Sequence, residues 1–194
     1  VDGRLAKGQA TKAQIVETAT TAFADAGYDG VSIETLVTLT GVSRGALYHH
    51  FNGKEGLFLA VLETVEERVA RTIIEGSRAA SDPVAALRAG CGAWLELARD
   101  PEVRQIVLTD APAVLGWEKW RDLDRRYGFG LLRAALEAHA RAGRLSETRV
   151  DMFAHILLAA VLEAALLVAR DDDPPTRLEA AREAMDEFIE RLLS

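Results

Sequence analysis

Four side chains able to touch nucleic acid crowd into one short segment, Ser43-Arg44-Gly45-Ala46-Leu47-Tyr48-His49-His50-Phe51. Arg44 supplies a guanidinium, Tyr48 a phenol, and His49 and His50 two imidazoles, while Leu47 and Phe51 fall where a helix faces its core. An arginine near a helix start can grip guanine through two donors, and Ala46 can meet a thymine methyl. Lys54, at the start of the following helix, would bring a charge to a phosphate already attracted by that helix's free amides. A helix of about two turns does not hold together alone. Its retention points to a task for its exposed face. The His49-His50 pair does not read as a metal site, because neighbours on a helix point about 100° apart and no carboxylate or cysteine accompanies them.

The flanking residues are those that would position such a helix. Gly41 can take the left-handed conformation that ends a helix, Val42 is an apolar plug, and Ser43 can accept from the next helix's free amides. Ser32 caps a preceding helix carrying Ile33, Leu36 and Val37. Before it, Thr11 with Gln14 forms a capping box, followed by the stripe Ile15, Ala19, Ala22, Phe23 and Ala26 and a stop at Gly27. Residues 1 to about 10, with Gly3 and Gly8, read as a flexible arm. Asn52 with Glu55 caps a fourth helix bearing Leu57, Phe58, Val61, Leu62 and Val65. The helix from Ser43 reads as the recognition helix of a helix-turn-helix.

Further helix starts are legible at Asp82-Pro83 and Asp100-Pro101, where proline takes the first helical position. A periodic run from Trp117 to about Arg141 carries Trp120, Leu123, Tyr127, Leu131, Ala134 and Ala138 on one face, with Gly128 and Gly130 suggesting a kink or close approach. Ser146 caps the next helix, and Thr176 with Glu179 forms another capping box. No run alternates as a strand does, and there is no internal repeat. The expected fold is all-α with about nine helices: an arm and helix-turn-helix head over 1–53, and a helical regulatory and dimerisation domain over 54–194.

From Met152 to Ala169 the chain is apolar nearly all round, broken by His155 and Glu163. A membrane span needs about 20 apolar residues, so this run reads as too short, and no membrane is expected. A helix apolar on every face is buried on every face, which fits one face on the domain and another on a second subunit. The expected interface is Phe153, Ala160 and Leu167 here with Met185, Ile189 and Leu192 of the last helix.

The 194 residues carry a net charge of −7 and a single cysteine, Cys91. The cysteine cannot pair internally, so a reducing cytoplasm fits; it is either a small core residue or a redox sensor, the latter needing an exposed thiolate. The first residues are polar and lack the apolar core of a signal peptide. The acidic total does not exclude nucleic acid, because binding depends on the local field. Arg4, Lys7, Lys12, Arg44 and Lys54 nearly balance Asp2, Glu17, Asp25, Asp29, Glu34 and Glu55 in the first sixty residues. A small basic patch on an acidic molecule is expected.

Over about a third of its length the chain resembles the tetracycline-repressor family of transcriptional regulators. The resemblance rests on Ile15, Ala19, Phe23 and Gly27, on Ser32-Ile33, on Gly41 through Phe51, and on Lys54 and Leu57. It implies that Ser32, Tyr48, His50 and Lys54 contact phosphates and that Arg44, Gly45, Ala46 and His49 face base edges. Val37 and Thr40 stand where the pattern has small alanines, and Glu34 where some members carry a basic base-contacting residue. Glu34 is therefore not expected to read DNA, and the operator sequence is not transferable.

These residues imply a homodimeric, cytoplasmic repressor of a palindromic double-stranded operator, released when a small-molecule effector enters the C-terminal domain, with no metal or cofactor. Such a cavity needs aromatic walls and a few polar groups. Trp94, Trp117, Trp120, Tyr127, His155 and Glu163 are candidates, although the aromatics also suit a core and the two polar residues a dimer seam. A small helical enzyme and a protein-binding adaptor remain alternatives. No nucleophile motif, phosphate loop or ligand-spaced cluster supports the enzyme.

Overall fold

The chain alternates helices with short connections, and the computed structural model describes residues 2–193. Helix α1 is Asp2–Gly30, α2 is Ile33–Thr40, α3 is Arg44–Phe51, α4 is Lys54–Ser77 and α5 is Pro83–Leu97. Helix α6 covers 101–115 and contains a π-helical stretch, Val103–Asp110; α7 covers 117–141 and contains another, Arg125–Phe129. A single 3₁₀ turn, Glu147–Arg149, leads into α8, Val150–Arg170, and α9 is Pro174–Leu193. The fold is all-α, with nine helices and no strand among the described residues.

Two compact units divide these elements. The first runs to Glu66 and also takes in Pro101–Gly116. Its core gathers Ile15, Ala19 and Phe23 of α1, Leu36 of α2, Leu47 of α3 and Leu57, Phe58 and Leu62 of α4, all fully buried or nearly so. Phe23, Tyr28 and Phe58 form a mutual aromatic cluster with centroids 5.1 to 5.8 Å apart. Helix α6 packs along α1 and buries Ile106, Val107 and Ala111. The sequence places the division after residue 53, at the end of the recognition helix. The compact unit also takes in the first half of α4 and all of α6, which supply apolar surface to its core.

The second unit comprises Glu67–Asp100 and the chain from Trp117 onward. Helix α5 packs on α7, α8 and α9, and α8 packs on α7 and α9. Asp82 caps α5 by accepting from the amides of Val84 and Ala85 at 2.9 Å, with Pro83 in the first turn. The Ala85 amide leads the hydrogen bonds that hold the Asp82 carboxyl below its ordinary range.

Several local expectations are corrected. The arm expected over residues 1 to about 10 is helical from Asp2, so the Thr11/Gln14 box opens no helix; alanine, leucine, lysine and arginine outweigh Gly3 and Gly8 there. Residue 1 lies outside the described residues. Asn52 ends α3 instead of starting α4: it sits in the left-handed region (φ 57°, ψ 33°) with its amide donating to the Tyr48 carbonyl. Helix α9 begins at Pro174, ahead of the Thr176/Glu179 box. Asp171 instead organises the entry, accepting from the Asp173 amide at 2.9 Å and pairing with Arg177 at 2.6 Å.

The face of α7 is also rephased. Trp120 and Leu123 are buried as expected, but beyond the π stretch the buried positions are Leu136, His139 and Ala140, and Ala134 is exposed. A π turn holds an extra residue, so the second half of the helix is rotated against the first. The kink expected at Gly128 and Gly130 takes this form.

Helix α8 has 21 residues and is long and apolar enough to cross a membrane by length and composition, against the expectation that it is too short. One face, with Ala154, Leu157, Val161, Ala165 and Val168, is buried in the second unit. The opposite face is not covered by the chain: Met152, Ile156 and Leu167 are exposed.

Candidate nucleic-acid interface

Short-range capping chemistry fixes the geometry of α2 and α3. Ser32 accepts from the Thr35 amide at 3.0 Å and starts α2. Gly41 ends it with φ 67° and ψ 12°, a left-handed conformation that glycine adopts without a Cβ penalty. Two residues later Ser43 accepts from the Ala46 amide at 3.1 Å and starts α3. The turn is therefore set by a glycine stop and a serine start, with Val42 half-buried between them.

Leu47 and Phe51 anchor α3 into the first unit's core, which turns the remaining side chains outward. Arg44, Gly45, Tyr48 and His49 are exposed, while Ala46 and His50 are half-buried. Arg44 Nη1 pairs with Glu34 Oε1 of α2 at 2.9 Å, and its Cζ lies 5.9 Å from the Tyr48 ring centroid. The His49 and His50 rings stand 5.5 Å apart. Among the described residues no group of three His, Cys, Asp or Glu side chains could hold a metal ion.

Lys54 opens α4 with its ammonium 3.9 Å from the Tyr28 ring centroid. Burial, with Glu55 and Asp29 nearby, raises the Tyr28 hydroxyl above its ordinary range, so the ring faces the lysine uncharged. Lys12 stands 5.7 Å from the Phe51 ring. Ser32 and Ser43, the caps of α2 and α3, thus lie in one unit with Arg44, Gly45, Ala46, Tyr48, His49 and His50 of α3 and Lys54 at the start of α4. Exposed donors at one helix face suit phosphates and base edges together.

Asp110, Gln105 and Gly56, outside the expected set, shape this unit together with Gly27. Gly27 leaves the helical conformation (φ 71°, ψ 167°), and the Tyr28 amide just beyond it donates to Asp110 Oδ2 at 2.7 Å. Gln105 Nε2 donates to the other oxygen of Asp110 at 3.0 Å. Gly56 lets α4 start tight against α3: a Cβ there would stand 1.7 Å from the Phe51 carbonyl oxygen. An isolated glycine inside a helical pattern is a signal for such an approach; nothing local in the sequence announces the π turn that aligns Gln105 with Asp110.

The effector candidates fall in different surroundings. Trp94 and Trp120 are core residues, Trp117 is 63% exposed, and Trp117 and Trp120 stand 5.0 Å apart. Tyr127 is half-buried, and His155 and Glu163 are exposed on α8; His155 stacks on Phe129 at 4.4 Å. A cleft of about 330 Å³ opens instead between α5 and α9, lined by Arg88, Ala89, Gly92, Ala93, Leu95, Arg182, Met185 and Asp186. Of the expected interface residues, Leu167 is exposed, and Phe153, Ala160 and Leu192 are half-buried. Met185 and Ile189 are corrected: they are 6% and 0% exposed because their stripe packs inward within the second unit.

Comparison with known proteins follows the division of the chain. Residues 15–61 match the family model for bacterial regulatory proteins of the tetR family, and residues 84–192 match the tetracyclin repressor-like C-terminal domain. The HTH-type transcriptional repressor AcnR of Corynebacterium efficiens is 43% identical over 65 residues, 34% of this chain and 35% of that protein. The match to that curated relative thus spans about a third of its length. A TetR-family transcriptional regulator from Pectobacterium atrosepticum has a similar structure, with TM-score 0.85 and 32% identity over 97% of this chain and 96% of its own. A TetR transcriptional regulator from Chloroflexus aurantiacus superposes with TM-score 0.74 and 27% identity, over 95% and 96% of the two chains.

Proposed function

Because the chain belongs to the tetR family of bacterial regulatory proteins, we propose that it is a cytoplasmic transcriptional repressor that binds a palindromic operator as a homodimer. The observation that carries this reading is α3 itself: Leu47 and Phe51 hold it to the core while Arg44, Tyr48 and His49 stay exposed. In this reading Arg44, Gly45, Ala46 and His49 meet base edges in the major groove. Ser32, Ser43, Tyr48, His50 and Lys54 hold the backbone on either side. The named relative's description as a repressor supports the direction of regulation.

The dimer uses the face of α8 that the chain leaves open. Met152, Ile156 and Leu167 lie at spacings that share one side of the helix, with Phe153 and Ala160 at its margin and Leu192 contributed by α9. Two copies of α8 and α9 form a four-helix contact that sets two heads on successive major grooves. A small molecule bound in the second unit releases the operator, acting through its preference for the non-binding state. Trp94, Trp117 and Trp120 all belong to that unit, so tryptophan emission reports the effector's arrival.

A gel-shift series on fragments of the protein's own promoter region tests the reading. One fragment shifting at nanomolar protein, against unrelated DNA shifting only far higher, is the expected result. No selective shift would favour the helical enzyme or adaptor instead.

A further inference from the structure

Glu34 stands in the first turn of α2, two residues after the Ser32 cap, and Arg44 is the first residue of α3. The glycine stop at Gly41 folds the two helices so that these side chains meet, Oε1 to Nη1 at 2.9 Å. They are 70% and 62% exposed, and an ion pair so open to water adds little to stability. Its consequence lies in what it does to the arginine. The carboxylate occupies Nη1, and the Tyr48 ring lies one turn along the helix, 5.9 Å from Cζ. Among the described residues no other acceptor engages Arg44, so Nε and Nη2 remain. These two parallel donors on one edge match O6 and N7 of guanine.

The same carboxylate changes what the arginine rejects. A phosphate drawn to Arg44 would come up against the charge of Glu34, whereas a guanine edge carries no net charge. A lone arginine at a helix start can grip a guanine edge, but it is equally free to bind a phosphate of any sequence. An arginine tethered to a carboxylate serves a base. We propose that Glu34 is a specificity-determining positioning residue: it holds Arg44 by Nη1, presents the Nε/Nη2 edge to guanine, and keeps Arg44 from capture by phosphate. The inference rests on the DNA-binding reading above and assigns a role to a residue that sequence analysis sets aside.

The test begins with a duplex selected by the unmodified full-length protein from a randomised library, paired with an unrelated duplex of equal length. Affinities for both are measured across a KCl series for the parent, Glu34→Ala, Glu34→Gln, Arg44→Ala and Glu34→Ala/Arg44→Ala. Circular dichroism confirms the fold of each. Glu34→Ala is expected to bind the unrelated duplex more tightly, with a salt slope steeper by about 0.9, the signature of one added phosphate contact. Its selected-to-unrelated ratio is expected to fall roughly tenfold, within the discrimination that one bidentate base contact provides. Glu34→Gln, which keeps an acceptor without the charge, should fall between. In the Arg44→Ala background, removing Glu34 should leave the ratio unchanged. Equal tightening on both duplexes, or the same change of ratio without Arg44, would overturn the proposal. Failure of the parent to enrich any sequence would sink the DNA-binding reading itself, and this inference with it.

Discussion

Asp110 accepts the backbone amide hydrogen of Tyr28 at 2.7 Å, joining residues 82 apart in sequence. The contact exists because Gly27 breaks the helix just before Tyr28, leaving that amide in need of a partner. A π turn in α6 stacks Gln105 over Asp110 at a separation of five residues, and Gln105 donates to the second carboxylate oxygen. The head is thus completed by a segment that returns to it late in the chain.

Burial raises the Asp110 carboxyl above its ordinary range, outweighing the Tyr28 and Gln105 hydrogen bonds that pull it down. The folded state therefore holds this proton more tightly than the unfolded chain. Asp110's contribution to stability is greatest below the ordinary carboxylate range and falls as pH rises through the raised value. Urea titrations of the parent and Asp110→Asn at stepped pH should show the parent losing stability relative to the variant as pH climbs through that window. A constant difference would contradict it.

Gly56 and Gly130 provide a contrast within one chemistry. A Cβ at Gly56 would collide with the Phe51 carbonyl oxygen at 1.7 Å, while nothing lies within 4 Å of one at Gly130. Gly56→Ala should destabilise by about 1–3 kcal/mol, as overpacking against an unyielding neighbour does, and weaken DNA binding by displacing α3. Gly130→Ala should stabilise by up to about 1 kcal/mol through helix propensity. Thermal unfolding of the two variants checks both signs.

Legibility followed the range of the interactions. Ser32, Gly41 and Ser43 were readable because a cap depends on residues two to four positions away. Asn52 is ambiguous in sequence because asparagine serves helix starts and left-handed helix ends alike, and only the close start of α4 decides between them. Ala134 falls on the apolar face of α7 by a 3.6-residue period, which cannot register a π turn. The stripe through Met185 and Ile189 was correctly apolar, but periodicity reports that a face is covered, not by what. Asp110 depends on a partner 82 residues away and Gln105 on a π turn that brings it onto Asp110, and neither left a local trace.

The burial of Met185 and Ile189 changes how the dimer is tested. Ile189→Arg would place a charge in the chain's own core, so loss of dimer there would report unfolding. Ile156→Arg and Leu167→Arg alter side chains 43% and 53% exposed. Each should leave the circular dichroism intact, give monomers by sedimentation and cut operator affinity severely. Sedimentation showing the parent monomeric at micromolar concentration would contradict the assembly.

Cys91 separates a core thiol from a sensor. It is buried, and desolvation, with Asp186 adding to it, pushes its thiol up to about 12. Only the neutral thiol is then present at pH 8, and the thiolate is the reactive form. A maleimide should label Cys91 slowly in the native protein and fast in urea. Rapid native labelling would place it among redox-sensing thiols instead.

The central claim is that α3 reads bases while the start of α4 holds the backbone. The most direct measurement is the affinity of the parent, Arg44→Ala and Lys54→Ala for the operator, for its single-base variants and for unrelated DNA, each across a salt series. Arg44→Ala should lose about 1–3 kcal/mol and its preference at one position of each half-site. Lys54→Ala should weaken every sequence by the same factor and make the salt slope shallower by about 1. Parent-like affinity and base preference in both variants would contradict the account, because α3 would then not be the helix that enters the groove.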